Sequence, residues 1–232
     1  MNLKVLKEEV FEANLELVRR KLVIYTWGNV SAIDRENKLV VIKPRGIEYD
    51  ELDADDMSVV DYEGNLIEGS KLLPSVDLDI HLAIYEEFPE IGGIAHTHST
   101  WATAWSQANR GIPVMGTTHA DHFYGTIPCV DYLSEPEVEN DYERNLGLAI
   151  CRVLAGRNPL EMGAVLTAGH GPFTWGKDAD SAVEHSVILE ELAKMAKLSE
   201  DIAGREMLLP EYMTKKHYTR KYGAHAYFYQ SK

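Results

Sequence analysis

Cysteine is scarce in this sequence, which has only Cys129 and Cys151 among its 232 residues. The two form no Cys-x-x-Cys pair, so the spacing typical of thiol redox motifs and cysteine zinc sites is missing. A chain of this length can bury a large core without cross-links. We therefore expect no disulfide and interpret both cysteines as reduced packing residues.

Long apolar runs are also missing. No segment reaches the roughly 20 apolar residues that a membrane-spanning helix needs, and residues 1–9 lack the apolar core of a secretion signal. Repeats, low-complexity segments and linker-like stretches are absent too, which favours one domain over residues 1–232. We therefore expect a cytoplasmic protein without a membrane partner.

Positive charge is in short supply, because 23 lysine and arginine residues face 37 aspartate and glutamate residues, giving a formal net charge of −14. Proteins that bind nucleic acids present basic surfaces to the phosphate backbone, so this balance argues against such a partner. It leaves room for a small phosphorylated substrate, since a few local cations and backbone N–H groups can hold one.

What the sequence does contain is an apolar run, residues 91–95, that ends in His96-Thr97-His98. Residues i and i+2 of a strand share a face, so the two imidazoles are expected to point the same way. Imidazole is the commonest protein ligand of zinc and similar ions, and such a pair supplies half of a tetrahedral site. A His-x-His pair also occurs on solvent-facing strands, so the pair alone is a weak signal of a metal site. The remaining ligands of such a site must come from other parts of the chain.

Two further residues are candidates to complete that site. His170 lies between two glycines just past the apolar strand 164–168, and glycine leaves the backbone free to turn the histidine inward. Asp77 precedes a helical pattern, where it fits a helix N-cap as well as an oxygen ligand. Three histidines and one acid make a complete mononuclear site, although their spacing does not prove that they meet.

Two loops carry polar groups beside apolar strands. Lys43 and Arg45 end a β-branched strand in a pattern that fits either an anion-binding loop or a solvated surface turn. Residues 116–125, which include Asp121, gather several titratable groups, as loops with catalytic residues do. The same residues also suit an ordinary surface turn.

Hydrophobic periodicity predicts the main secondary structure. It favours helices over residues 2–20, 135–154 and 179–203 and a strand over 126–130. The C-terminal tail, about 211–232, is basic and aromatic on an acidic chain. We expect that tail to dock at a subunit interface.

Several longer motifs follow one another in a recognisable order: Thr26-Trp27-Gly28-Asn29-Val30-Ser31, Val41-Ile42-Lys43-Pro44, His96-Thr97-His98-Ser99, Gly116-Thr117-Thr118-His119-Ala120-Asp121, Gly125-Thr126-Ile127-Pro128-Cys129, His170-Gly171-Pro172-Phe173 and Lys216-His217-Tyr218. With these motifs the chain resembles, essentially from end to end, the L-ribulose-5-phosphate 4-epimerases of the class II aldolase/epimerase superfamily.

The resemblance implies an α/β fold in a single domain, with a largely antiparallel central sheet, helices on both faces, and a C4 homotetramer with active sites between subunits. It also implies one divalent metal ion per subunit, zinc in the first place and manganese or another ion as alternatives, held by Asp77, His96, His98 and His170. Aldolases of the superfamily usually have glutamate in place of Asp77, so the aspartate favours epimerisation.

The activity implied is epimerisation of L-ribulose 5-phosphate to D-xylulose 5-phosphate at C4. Metal-assisted retro-aldol cleavage of the C3–C4 bond, rotation of the aldehyde fragment and re-formation of the bond would invert that carbon. Two acid/base groups must then face opposite sides of the aldehyde. Asp121 matches one of them, and a tail tyrosine supplies the other. Tyr229 is preferred to Tyr227 there, because gapless register puts Phe228 at the tyrosine position.

The residues that match the family's substrate contacts are Gly28, Asn29, Lys43, Arg45, Gly46, Ser75, Val76, Thr117, Glu143, His217 and Arg220. Arg45 and Val76 replace two serines of the family's phosphate loops. A class II aldolase or epimerase that acts on a different ketose is therefore the alternative. A non-catalytic protein that binds metal and sugar is the third interpretation.

Overall fold

The computed structural model describes residues 2–67, 69–222 and 226–228. Its helices are α1 (Leu3–Arg19), α2 (Leu78–Glu87), α3 (Thr100–Gln107), α4 (Thr117–Ala120), α5 (Glu135–Glu139), α6 (Tyr142–Leu154), α7 (Pro159–Met162), α8 (Ala179–Ala203) and α9 (Glu211–Lys221). Its strands are β1 (Asn29–Asp34), β2 (Leu39–Ile42), β3 (Ser58–Asp61), β4 (Gly93–His96), β5 (Cys129–Val130), β6 (Ala164–Thr167) and β7 (Pro172–Gly176). Within the described ranges, no helix is both long and apolar enough to cross a membrane.

The strands form one sheet in the order β3-β2-β1-β4-β7-β6-β5. Neighbouring strands are antiparallel except at the β5–β6 edge, where the pairing is parallel. The predicted α/β fold with a largely antiparallel sheet is confirmed.

Helices cover both faces of this sheet, as predicted. On one face, α2 and α6 pack over a core that contains Ile94, Phe173 and Trp175. On the other face, α1 and the first turns of α8 pack over Val30, Val41 and Ala95. The alternation along β4, with Ile94 and Ala95 in different cores, follows from the two-residue period of a strand.

The helix predicted over residues 135–154 is in fact two helices. α5 ends at Glu139 with Asn140 as its C-cap, and Asp141 has a φ of 70°, in the left-handed region, before α6 begins. Neither glycine nor proline marks this break. Asn and Asp tolerate that conformation better than other residues, and this allows the turn without glycine.

The strand predicted over residues 126–130 is shorter than expected. Ile127 exchanges two hydrogen bonds of 3.0 Å with Ile112 in an isolated antiparallel bridge, and only Cys129 and Val130 pair with β6. Pro128 between them has no N–H to donate, although its carbonyl accepts from Leu166 at 2.9 Å. The segment therefore changes partner at the proline.

Candidate active site

Three histidines meet at one end of the sheet. His96 ends β4, His98 follows two residues later, and His170 lies in the turn between β6 and β7. The Nε2 atoms of His96 and His98 are 3.0 Å apart, and one ligating nitrogen from each of the three rings lies within 4.8 Å of the others. The structure thus brings together the three imidazoles that the sequence nominated.

The turn that delivers His170 depends on its two glycines. Gly169 has a φ of 70°, which side chains with a Cβ rarely adopt, and a Cβ on Gly171 would lie 2.7 Å from the carbonyl oxygen of Thr97. The backbone N–H of His170 donates to the carbonyl of Thr167 at 3.1 Å and closes the turn. This close approach places His170 against the segment that carries His96 and His98.

The three imidazoles are held in the neutral form. Burial lowers the pKa of all three below the usual histidine value, and mutual repulsion lowers those of His96 and His170 further. The Nδ1–H of His96 donates to the carbonyl of Pro172 at 2.9 Å, which leaves a lone pair on Nε2 facing the other rings. Neutral imidazoles with lone pairs turned inward are the form that binds a divalent cation.

Asp77 lies beside this cluster. It occupies the N-cap position of α2, yet its side chain makes no capping hydrogen bond. Instead, its Oδ2 accepts from the Asn29 amide at 2.7 Å, and Ser75 Oγ lies 3.4 Å away. Burial lowers the pKa of His98 and His170, and the negative charge of Asp77 acts in the opposite direction and raises both pKa values in part. Of the two roles the sequence left open for Asp77, side-chain capping is therefore not observed.

The backbone conformation and close packing next to this cluster require glycine at position 28. Its φ is 82°, and a Cβ at this position would lie 2.6 Å from the carbonyl oxygen of His96. Asn29, the next residue, pairs directly with His96 across the β1–β4 ladder. Gly28 thus lets β1 begin in contact with the backbone that carries the histidines.

Replacing Gly28 with alanine is expected to destabilise the protein by roughly 2–4 kcal/mol, through left-handed strain and a backbone clash. Gly46→Ala is the matched control, because Gly46 also has a positive φ of 71° but has open space around its Cβ position. This variant should be less stable than the wild type by about 1 kcal/mol, because it has the left-handed strain without the clash. Urea unfolding of both variants measures the difference, and equal losses would contradict the role of the close approach.

Two loops meet next to Asp77. The amide of Arg45 donates to the carbonyl of Leu73 at 3.1 Å, and the amide of Ser75 donates to the carbonyl of Lys43 at 3.0 Å. Arg45, Gly46 and Val76 are exposed at the surface of this pair of loops. The residues predicted to hold a phosphate therefore lie close together and open to solvent.

Lys43 differs from the others because its side chain is buried. Its Nζ donates to the carbonyl of Ile47 at 2.7 Å and lies 4.6 Å from the centre of the Tyr49 ring. Burial lowers the pKa of the Lys43 ammonium to about 8, and the nearby charge of Glu48 opposes this only in part. From the sequence, Lys43 was interpreted as part of either an anion-binding loop or a solvated surface turn, and neither interpretation predicted a buried side chain.

A second cluster surrounds Asp121, at the end of α4. Arg220 of α9 grips the carboxylate with two hydrogen bonds, one of 2.8 Å from Nε and one of 2.5 Å from its NH2 group. His217 Nδ1 lies 3.2 Å from Oδ1. Burial by itself would raise the pKa of Asp121, but the hydrogen bonds from Arg220 and His217 outweigh it and lower that pKa below its usual range.

The predicted tail contacts this second cluster. The amides of Tyr227 and Phe228 donate to the carbonyl of Arg220 at 2.9 and 3.0 Å, and the Phe228 ring lies beneath the side-chain cations of Arg220 and Lys221. Tyr227 is exposed. Tyr229, nominated as the second acid/base, lies outside the described residues.

Replacing Arg220 with glutamine is expected to raise the pKa of Asp121. A carboxylate whose pKa is depressed on folding contributes stability above its unfolded pKa and loses it as the pH falls through its folded pKa. In the variant this contribution should therefore be smaller at neutral pH, and what remains should be lost at a higher pH than in the wild type. NMR titration of the Asp121 carboxyl and acid unfolding measure the two effects.

Arg110→Gln is the control for that titration, because Arg110 pairs with Glu200 at the surface. It should leave the Asp121 titration unchanged. An unchanged Asp121 titration in Arg220→Gln would show that the guanidinium does not set this pKa.

The two clusters lie on opposite faces of the sheet. His96 stacks on Phe173 at 4.2 Å between ring centres, in the core beneath α2 and α6. Asp121 follows α4, which packs on α9 and borders α8, the helix that covers the other face. Within one subunit, Asp121 and the three histidines therefore lie on different faces of the sheet.

The remaining predicted substrate contacts divide between the same two clusters. Glu143 lies in the first turn of α6, on the histidine face, next to Tyr142, whose pKa is raised by burial and then by the charges of Asp77 and Glu143. Thr117 opens α4 on the other face, and its carbonyl accepts from the amide of Asp121 at 2.9 Å.

Comparison with known proteins identifies the fold and its relatives. The sequence profile described as "Class II Aldolase and Adducin N-terminal domain" matches residues 8–197. The chain belongs to the class II aldolase family. L-ribulose-5-phosphate 4-epimerase UlaF of Salmonella paratyphi C is 50% identical to it, over 97% of this chain and 98% of the relative. The family resemblance drawn from the motifs is confirmed.

Solved structures of the family share the architecture. An L-fuculose 1-phosphate aldolase matches with a TM-score of 0.80 and 27% identity, over 93% of this chain and 95% of that one. YgbL from Escherichia coli matches with a TM-score of 0.73 and 26% identity, over 93% of this chain and 99% of that one. The fold is therefore that of the class II aldolases across nearly the whole chain.

Reasoning from sequence did not single out His81, a buried residue near the histidine cluster. Its side chain joins Ser31 and Tyr85 in a chain of hydrogen bonds. The available signal was the four-residue spacing from Asp77 to His81, which places both on one side of a helix.

Proposed function

We propose that the protein is an L-ribulose-5-phosphate 4-epimerase, an isomerase that forms D-xylulose 5-phosphate. The observation that carries the proposal is a cluster of three neutral histidines beside Asp77. This cluster occurs in a chain 50% identical, over nearly its full length, to a protein of that name. A phosphorylated ketose is the substrate class.

A divalent ion, zinc by preference, would be held by His96, His98, His170 and Asp77. The residues present fit such an ion, because the lone pair of His96 Nε2 is directed among the other rings and Asp77 adds a negative charge close by. The Nδ1 of His170 is buried without a hydrogen-bond partner among the described residues. The ion would supply a Lewis acid for the ketose carbonyl and its neighbouring hydroxyl.

The paired loops next to Asp77 would hold the anionic end of the substrate. Arg45 is exposed at the loop tip and can bind a phosphate with two parallel hydrogen bonds. Lys43, Gly46, Ser75 and Val76 would line the same contact. Asn29 adds a buried Oδ1 that has no partner within the described ranges, so it can accept from a sugar hydroxyl.

Acid/base chemistry would come from the other face of a second subunit. Asp121, supported by His217, Arg220 and Thr117, would move a proton on one side of the substrate, with Tyr229 of the tail on the other. Since the Asp121 and histidine clusters face opposite ways, a ring of four subunits would let each pair of neighbours build one site. The homotetramer, the docking tail and the residue roles are parts of this proposal.

An NMR time course of the zinc-loaded protein with L-ribulose 5-phosphate tests the proposed function. The expected result is D-xylulose 5-phosphate as the only product, with no conversion of unphosphorylated L-ribulose. Accumulation of a free aldehyde would instead identify an aldolase. The absence of any turnover, with metal bound, would overturn the epimerase proposal.

A further inference from the structure

A chain of buried polar side chains runs from the sheet to the first turns of α2. The hydroxyl of Ser31 lies 2.7 Å from His81 Nδ1 and 2.8 Å from the phenol oxygen of Tyr85. Ser31 and His81 are fully buried, and Tyr85 is nearly so. Such a chain has to satisfy every donor and acceptor, because unpaired polar groups are expensive in the interior.

The donors and acceptors along this chain of hydrogen bonds determine which ring nitrogen of His81 carries the proton. Burial raises the pKa of Tyr85, so the phenol stays protonated, and the Ser31 hydroxyl at 2.8 Å is placed to accept its proton. The phenol proton is then donated to Ser31, and the single proton of Ser31 is donated to His81 Nδ1. His81 is therefore the tautomer that carries its proton on Nε2.

That Nε2–H has no acceptor among the described residues. A buried donor without a partner costs free energy in the folded state. His81 is thus poorly explained as a packing residue. It is better explained by a partner that takes up its hydrogen bond when the neighbouring site is complete.

The surroundings of His81 identify that partner. His81 lies one turn after Asp77 on α2, and helical side chains lean back over the turn that precedes them. The ring of His81 contacts the edge of Phe173, whose face stacks on His96. The backbone N–H of His81 donates to the carbonyl of Asp77 at 3.2 Å, so the two residues are neighbours at the start of the helix.

We infer that His81 is a positioning residue of the metal site: when the ion is bound, His81 donates its Nε2–H to the Asp77 carboxylate and orients that carboxylate toward the ion. Asn29 already holds Asp77 Oδ2 from one side, and with the ion bound His81 would fix the carboxylate from the helix side. Ser31 and Tyr85 set the tautomer that makes His81 a donor. The inference rests on the metal site of the proposed function but not on the identity of the sugar.

Zinc affinity, measured by competition with a chromogenic chelator, tests this role without any turnover. His81→Phe should weaken zinc binding by about 10–100-fold, as loss of such outer contacts commonly does. The metal-free variant should melt close to the wild-type temperature, because it exchanges one buried unpaired donor, the His81 Nε2–H, for another, the Ser31 hydroxyl. His81→Gln keeps an N–H donor and should recover most of the affinity.

Ser31→Ala is the independent variant, because it leaves the His81 ring in place but frees its tautomer. It should weaken zinc binding in the same direction and by less than His81→Phe. Equal zinc affinity in wild type, His81→Phe and Ser31→Ala would overturn the inference, as would equal losses in His81→Phe and His81→Gln. A wild-type protein that binds no zinc would overturn both this inference and the proposed metal site.

Discussion

Replacing His96 with asparagine is expected to lower turnover of L-ribulose 5-phosphate by about 10³-fold or more, the equivalent of several kcal/mol of transition-state stabilisation. The same change should remove the bound metal. His96 is the most deeply buried of the three histidines, and its Nδ1–H is fixed by the carbonyl of Pro172. Asparagine offers neither the reach nor the lone pair of Nε2.

Metal content per subunit and progress curves, recorded on the same preparation, measure the two effects together. His185→Asn is the matched control, because His185 is a mostly buried histidine that holds the carbonyl of Trp175 at 2.7 Å in another part of the fold. It should retain its metal. Wild-type metal content and activity in His96→Asn would exclude the histidine cluster as the catalytic centre.

The helices that could be predicted from sequence are those with an apolar stripe. α1 and α8 lie within a residue of the predicted bounds, because a buried stripe repeats through each and their first residues have caps, Asn2 and Asp178. α9 has no such stripe. It is a basic, aromatic helix held by contacts of His217 and Arg220 with Asp121, about a hundred positions earlier in the chain, which no local pattern encodes.

The cluster of three histidines shows a different limit of prediction from sequence. Strand alternation correctly placed His96 and His98 side by side, but β4 ends at His96, and His98 stays in line because Thr97 continues the ladder by donating to Pro172. That His170 joins them depends on pairing between β4 and β7, which spacing alone does not reveal. The family motifs suggested that the three histidines meet. The pairing of β4 with β7 is the physical reason that they do.

The sequence predicted which residues belong to the second cluster, but it did not predict the contacts between them. Sequence motifs nominated Asp121, His217 and Arg220 separately, two of them as substrate contacts. The structure joins them to one another, so Arg220 neutralises the carboxylate in the isolated chain. A residue predicted to bind substrate can therefore, in the absence of ligand, pair with the carboxylate that is proposed as an acid/base.

Asp121→Asn is expected to lower turnover by about 10²–10⁴-fold, the usual contribution of a positioned acid/base, while leaving zinc affinity at the wild-type value. The loss of rate with metal retained distinguishes it from His96→Asn. This separation follows from the geometry, because Asp121 and the histidines lie on opposite faces of the sheet. A loss of metal in Asp121→Asn would contradict it.

Mixing these two inactive variants should restore activity, and this is the sharper test of a site shared between subunits. In a ring, each site would take its histidines from one subunit and Asp121 from its neighbour. Random assembly of equal amounts then gives about one quarter of sites with both groups intact, and so about one quarter of wild-type activity. Mass spectrometry of the native mixture establishes that hybrids form, and the unmixed variants are the controls. Hybrids without activity would mean that Asp121 does not serve a neighbour's metal.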